Sequence, residues 1–293
     1  MPWLVGVAIL AAVFARIRWA ELRDALGHGA FVSLALTMAL FSVIQLGSDS
    51  VATWIGLIAL RMKRPFGKVV AVRGATYLLI VLSYVVSQGG FGYYLNRSGE
   101  RPLRATGATL FLLGINFAML LVVTSIAWLF VRDQLPRASL GWTLVAGCAA
   151  FAVYLIIIAI APSPLAQREL LSPLFQAGLR GHAFALAGRL PHVLIMVIGT
   201  WLTIRVWGID VPLAAGLTLV PIWVIVSALP ISPAGLGTAQ AALLYLFGPY
   251  ASDANLLAYS IVNFAFSMIA SLIIGSVCAA ISRRLPDQPG EAR

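Results

Sequence analysis

Apolar segments long enough to cross a lipid bilayer follow one another along almost the whole of this chain. About 20 apolar residues span a hydrocarbon layer of roughly 30 Å as a helix. Lipid offers no partner to an unpaired backbone group, so each segment must satisfy its own hydrogen bonds by becoming helical. A soluble helical bundle would need polar faces between its apolar ones, and most of these segments have none. Composition agrees: 61% of residues are hydrophobic and 10% charged, where a soluble domain carries about 25% charged residues. Mean hydropathy is +0.96. No polar stretch is long enough for a separate soluble domain. The expected fold is all-α, one polytopic integral membrane domain over residues 1–293 with about eight spans.

Two of the apolar runs end in the same short pattern. Ser87-Gln88-Gly89-Gly90-Phe91-Gly92 and Ser232-Pro233-Ala234-Gly235-Leu236-Gly237 both read Ser-x-x-Gly-x-Gly, 145 residues apart from Ser87 to Ser232. Thr53-Trp54 and Thr200-Trp201 repeat at a similar distance, 147 residues. Two similar halves follow, about 30–131 and 189–282. Glycine-rich backbone at the end of an apolar run is tolerated only where protein buries it or where it lines a wet cavity. Paired broken segments in matching halves point to a central transport site. Both signatures are therefore expected at non-helical or re-entrant breaks that approach each other near the centre of the molecule. The alternative is close helix packing, which glycine also permits.

The remaining segments divide as follows. Residues 3–15 are apolar but short for a span and lack a basic flank. Residues 16–28 and 163–180 carry apolar residues at three- and four-residue spacing, which predicts interfacial helices. A span over 30–47 is expected to break near Asp49, in Gly47-Ser48-Asp49-Ser50. The stretch 61–73 holds Arg61, Lys63, Arg64, Lys68 and Arg73 without an acid, which predicts a cytoplasmic loop. Further spans are expected over 74–96, 105–131, 138–161, 189–208, 212–231 and 254–282. The segment 234–248 is too short to cross fully; both termini of the chain are expected inside, and 283–293 is expected to be a disordered tail.

The net charge of +10 belongs to basic residues between apolar runs. There they meet anionic headgroups, so membrane lipids are the expected partners and nucleic acid is not. Cys148 and Cys278 fall in apolar segments and read as reduced, buried small hydrophobes. The three histidines and two cysteines never cluster with metal-ligand spacing, and no cofactor motif occurs. No hydrolase, metalloprotease or nucleotide-loop motif is present, so no enzyme activity or ATP-driven engine is expected.

The candidate substrate-binding residues are Ser87, Gly89, Gly90, Gly92, Arg97, Ser232, Gly235, Gly237 and Gln240. Broken helices would expose amides of positive half-dipole to an anionic headgroup. Gln240 either lines the cavity or bonds a neighbouring helix. Arg97 either clamps a phosphate or snorkels to the interface. Asn116, His192, Arg205 and Asn263 are further polar groups in or near apolar runs, with His192 and Arg205 read as span-end residues. Asp49 is either an acid at depth that requires a partner or part of a helix cap with Ser48 and Ser50.

Over residues 228–247, ALPISPAGLGTAQAALLYLF, the chain resembles the flippase-like membrane domain of lysylphosphatidylglycerol synthases and the stand-alone proteins related to it. The resemblance is specific at 229–240 and extends to the order of spans. It implies a bundle of seven to nine helical elements in a bacterial inner membrane that moves a lipid or lipid-linked molecule between leaflets. Members often carry Arg-Glu after the second glycine pair, where this chain has Ala239 and Gln240. They often carry an acid after the first, where Tyr93 and Tyr94 stand here. The aminoacyl-lipid substrate therefore does not transfer with the resemblance. The other readings are a scaffold or accessory subunit of envelope lipid biosynthesis, and an intramembrane lipid-modifying enzyme.

Overall fold

A computed structural model describes residues 9, 11, 13–15, 17–132, 138–229 and 235–285. They form twelve described helices and no strand. These are α1 (Trp19–Gly27), α2 (Phe31–Ala59), α3 (Phe66–Ala75), α4 (Tyr77–Ile80), α5 (Tyr84–Arg97), α6 (Pro102–Val131), α7 (Ala138–Ile160), α8 (Ser163–Ala166), α9 (Ser172–Val206), α10 (Leu213–Ala228), α11 (Thr238–Phe247) and α12 (Asp253–Ser282). Five of them, α2, α6, α7, α9 and α12, are long and apolar enough to cross a membrane. Their outer faces are hydrophobic: Val32, Leu36, Leu40 and Val43 stand exposed along one side of α2. That inside-out distribution marks a membrane-embedded protein.

Helices α2 and α9 form the central pair and run antiparallel. Gly181 faces Ala59, Gly188 faces Ile55 and Gly199 faces Phe41, so a stripe of missing side chains on α9 lets the two axes close up. At the far end, Trp207 meets Phe31 edge to face with ring centroids 5.5 Å apart. Between α2 and α6 the chain makes a hairpin, α3 and α4 running in and α5 running back. Its two ends are tied, because Arg64 Nη2 donates to Ser98 O at 3.2 Å. The tip is residues 81–83, where Ser83 is extended (φ −172°, ψ 159°) and its Oγ accepts from Val86 N. A second hairpin, α10 and α11, lies between α9 and α12. Trp223 Nε1 donates to Ala239 O at 2.8 Å across it. Trp207 Nε1 donates to Asn255 Oδ1 at 2.9 Å, which joins the end of α9 to the start of α12. The hairpins thus enter from opposite ends of the bundle, one beyond Ala59 and one beyond Val206.

The same local structure recurs at the end of both central helices. Trp54 Nε1 donates to Arg64 O at 3.1 Å, and Trp201 Nε1 donates to Val211 O at 2.8 Å. Met62 N bonds Leu57 O, and Ile209 N bonds Ile204 O. Each pair closes a helix-terminating turn around one left-handed residue, Arg61 (φ 58°) or Gly208 (φ 97°). Pro65 and Pro212 then cap the next helix with nearly the same dihedrals. Every partner in this set lies 147 residues after its counterpart, as Trp54 and Trp201 do. The helices that follow the hairpins, α6 and α12, both have 30 residues. Each packs along the other hairpin, α12 on α3 and α6 on α10.

Several expectations are corrected. Asp49 interrupts nothing: α2 is continuous from Phe31 to Ala59. Ser48 and Ser50 return their hydroxyl protons to Gln45 O and Leu46 O, so neither caps a break. The basic stretch 61–73 is a loop only to Pro65; Lys68 and Arg73 are buried on α3. The span expected over 74–96 is three helical pieces. Residues 19–27 are helical as expected, but 163–180 is not one helix. It holds α8, a turn and the start of α9, which kinks at Gly178 (φ 56°, ψ −175°). Cys278 is buried, whereas Cys148 is exposed on the flank of α7. The expected disordered tail falls mostly outside the described residues, as does most of the run 3–15.

Candidate functional site

A carboxylate stands in the middle of the bundle with two guanidinium groups on it. Asp49, on α2, lies ten residues from Ala59, about 15 Å along the axis. Arg73 of α3 donates to its Oδ2 from Nε at 2.9 Å and from Nη2 at 2.5 Å. Arg189 of α9 donates to its Oδ1 from Nη1 at 2.8 Å. His192, one turn on, places Nε2 3.8 Å from the same oxygen, while its Nδ1 lies 3.1 Å from Ser48 Oγ. All four side chains are buried, none more than 6% exposed. An ion pair this deep keeps its charges only with close geometry and further hydrogen bonds. The bonds are present: Arg73 Nη1 donates to Gln88 Oε1 at 3.2 Å, and Arg189 Nε donates to Asn116 Oδ1 at 3.0 Å. The Phe91 ring lies 5.4 Å from the Arg73 guanidinium carbon. The cluster therefore fastens α2, α3, α5, α6 and α9 together at one point.

Beside it opens a cavity of about 350 Å³. Both hairpins reach it. Tyr77, Tyr84, Ser87 and Gln88 line it from the first, and Ser227, Ala239 and Gln240 from the second. The last span, α12, contributes a polar stripe of Ser260, Asn263, Ser267 and Ser271 at helical spacing. Met38, Phe41, Phe117 and Met268 line it as well, so the chamber mixes polar and apolar groups.

Ser87 and Gln88 of the first signature line this cavity, whereas no described residue of the second does; Ala239 and Gln240, just beyond the second signature, line it instead. The two are also built differently. In the second, α10 ends at Ala228, and Gly235 (φ 73°) and Gly237 (φ 87°) take left-handed conformations before α11 begins. A Cβ on Gly235 would come 2.9 Å from Ser227 O. Ser232 lies outside the described residues. Gln240 lines the cavity and also caps α11, its Oε1 accepting from Gly237 N at 2.7 Å. The first signature is not a break. Residues 87–92 lie wholly within α5, and the chain turns five residues earlier than Gln88, at Ser83. Gly90 and Gly92 are there for packing: a Cβ on Gly90 would strike Leu79, and one on Gly92 would sit 2.8 Å from Thr109 Oγ1. Gly89 faces open space, in a second hollow of about 340 Å³ lined mostly by apolar groups such as Val85, Leu110 and Leu113. Gln88 borders both hollows. Ser87 donates to Thr76 O and holds the hairpin closed. Arg97 lies at the exposed end of α5 and does not line the cavity.

Asp49 has the partners that an acid at depth requires. His192 belongs to its cluster instead of to a span end. Arg205 pairs with Asp210 near the end of α9, as a terminal residue would. Asn116 and Asn263 both reach the cavity. The sequence reading passed over Arg73, taken as a loop charge, and Arg189. A signal existed for both, since each has apolar residues on either side within a run. No group of metal-ligating side chains occurs among the described residues. No protein-family model matches the chain, and no curated protein matches it.

Proposed function

We propose that the chain is a lipid flippase that moves a lipid or lipid-linked molecule between the leaflets of the membrane through this cavity. The observation that carries the reading is one chamber in the middle of the bundle lined by residues of both hairpins, Tyr77, Tyr84 and Gln88 from one and Ser227 and Gln240 from the other, the hairpins entering from opposite ends of the bundle. The hairpin arms are short: α3 to α4 covers residues 66–80, about 22 Å of helix, less than the roughly 30 Å needed to cross. As re-entrant elements they leave five crossings between Phe31 and Ser282, in place of the expected eight. Five crossings with two re-entrant hairpins make the halves 31–131 and 179–282 an inverted repeat. The hydrogen-bond set repeated at 147 residues supports the pairing of those halves. Inverted repeats with broken elements at the midplane suit alternating access, in which one half rocks against the other. Each hairpin packs on the last span of the opposite half, so such rocking would move both walls of the chamber together.

An amphiphile fits the two hollows. The polar groups lining the chamber suit a headgroup, and the mostly apolar hollow lined by Gly89 suits a chain, with Gln88 bordering both. The resemblance to flippase-like domains at 229–240 agrees with this use. The test is reconstitution in liposomes carrying fluorescent lipids, with a quencher that reaches only the outer leaflet. Protein-dependent loss of leaflet asymmetry for at least one lipid is expected. No movement of any lipid by monodisperse protein would leave a scaffold role.

A further inference from the structure

We propose that the chamber selects a lipid whose phosphate-bearing headgroup carries net negative charge, and that Arg189 is the residue that takes the phosphate oxygen; this rests on the lipid-moving reading above. The argument begins with charge. Four titratable side chains other than tyrosine line or border the chamber: Asp49, Arg73, Arg189 and His192. Among the described residues, two guanidinium groups stand against one carboxylate, so at least one positive charge remains without a counterion. Buried charge in a span is costly unless paired. An anion entering the chamber would supply the missing partner.

The hydrogen bonds say where it would bind. A guanidinium has five N–H groups in a planar fork. Arg73 turns Nε, Nη1 and Nη2 to Asp49 and Gln88. Arg189 turns Nε to Asn116 and Nη1 to Asp49, while Nη2 has no partner among the described residues. Arg189 is only 6% exposed and lines the chamber. It is therefore a buried, charged side chain with one arm of its fork open. The groups around the same chamber add neutral donors. The Oδ1 of Asn116 and the Oε1 of Gln88 and Gln240 are occupied as acceptors, which fixes each amide with its NH₂ as the remaining polar end. Tyr84 and Ser260 add hydroxyls. An arginine with surrounding neutral donors suits a tetrahedral oxyanion, since charge-assisted bonds to phosphate are the strong ones. A cationic headgroup would meet the excess positive charge and the same donors. The apolar lining residues Met38, Phe41, Phe117 and Met268 distinguish a lipid phosphate from free phosphate, because only the former carries hydrocarbon to cover them.

The site also predicts its own tuning. Asp49 already occupies Nη1 of Arg189, so it competes with the incoming anion and keeps the affinity low enough for release.

The experiment measures binding to purified wild-type protein in a non-ionic detergent, by the change in intrinsic tryptophan fluorescence, to which Trp223 in the chamber lining contributes. The probes are short-chain phosphatidate, short-chain phosphatidylcholine, a short-chain neutral diacylglycerol and inorganic phosphate. Phosphatidate is expected to bind at least about ten-fold tighter than phosphatidylcholine or diacylglycerol, a difference of one strong contact. Inorganic phosphate should bind at least about ten-fold more weakly than phosphatidate. Arg189→Gln should abolish the preference of phosphatidate over diacylglycerol, and Arg189→Lys, which keeps the charge, should retain part of it. Equal wild-type affinity for phosphatidate and diacylglycerol overturns the proposal without any variant. Inorganic phosphate binding as tightly as phosphatidate overturns its lipid source. Selective binding without leaflet movement in liposomes would refute the flippase reading and leave the phosphate site standing; leaflet movement without selectivity would do the reverse.

Discussion

Asp49 and Arg73 come from adjacent helices, α2 and α3, yet the arginine spends two N–H groups on one carboxylate oxygen, Oδ2, at 2.9 and 2.5 Å. The other oxygen is left for Arg189, 140 residues away in sequence. One acid thereby joins the first half of the chain to the second. Removing it should be felt across the whole bundle. Asp49→Ala leaves two buried guanidinium groups uncompensated, a loss of about 3–5 kcal/mol. The apolar replacement Asp49→Leu with Arg73→Met and Arg189→Met should recover most of that stability. The check is thermal unfolding of the purified variants in detergent. A triple variant no more stable than Asp49→Ala would show that the charges hold the fold in a way apolar packing does not replace.

Gln240 has a structural duty that its sequence position does not reveal. Its Oε1 accepts the amide of Gly237 at the start of α11. Gln240→Leu would leave that buried donor unpaired, at a cost of about 1–3 kcal/mol. Gln240→Glu keeps an acceptor and should lose less stability, while placing a negative charge in the chamber. Unfolding midpoints of the two variants should therefore separate, with leucine the lower.

Gly89 and Gly235 should respond oppositely to substitution. Gly89 is helical and faces open space, so Gly89→Ala should stabilise α5 by up to about 1 kcal/mol. Gly89→Leu should keep the fold but fill the hollow and slow lipid movement in liposomes. Gly235 is left-handed and crowded by Ser227 O, so even alanine there should destabilise. Equal effects of alanine at both positions would contradict the assignment.

Lys63 and Asp210 occupy the same place in the two halves, 147 residues apart, each in the turn after a central helix. In an inverted repeat they face opposite sides of the membrane. Membrane-impermeant thiol reagents, applied to Lys63→Cys and Asp210→Cys in a background with both native cysteines replaced, should label them from different sides. Lys63, among basic residues, is the one expected to label from the cytoplasmic side. Labelling of both from one side would remove the inverted repeat.

Trp54 and Trp201 each hold the turn ten residues ahead by one bond from the indole N–H. Trp54→Phe and Trp201→Phe should each cost about 1 kcal/mol, and similarly, because the contact is the same in both halves. Unfolding midpoints that fall by very different amounts would show that the two turns are not equivalent.

Hydrocarbon length, helix type and the positions of α6, α7 and α12 were legible in the sequence, because in lipid each span satisfies its own backbone and announces itself by an apolar run. The paired Thr-Trp dipeptides marked the same local turn at both places, because the turn each tryptophan holds lies within ten residues. The place of the glycines in the second break was legible too, since prolines and glycines stop a helix by covalent geometry alone. What the tertiary structure decided was partnership. Gly90 and Gly92 look like a break in sequence but serve packing, because Leu79 and Thr109 reach them from other helices. Asp49 looked like the end of a helix, and Arg73 like a loop charge. Each is stable in the interior only because the other, with Arg189, arrives there through the fold, and no local pattern encodes which charges will meet across 24 and 140 residues.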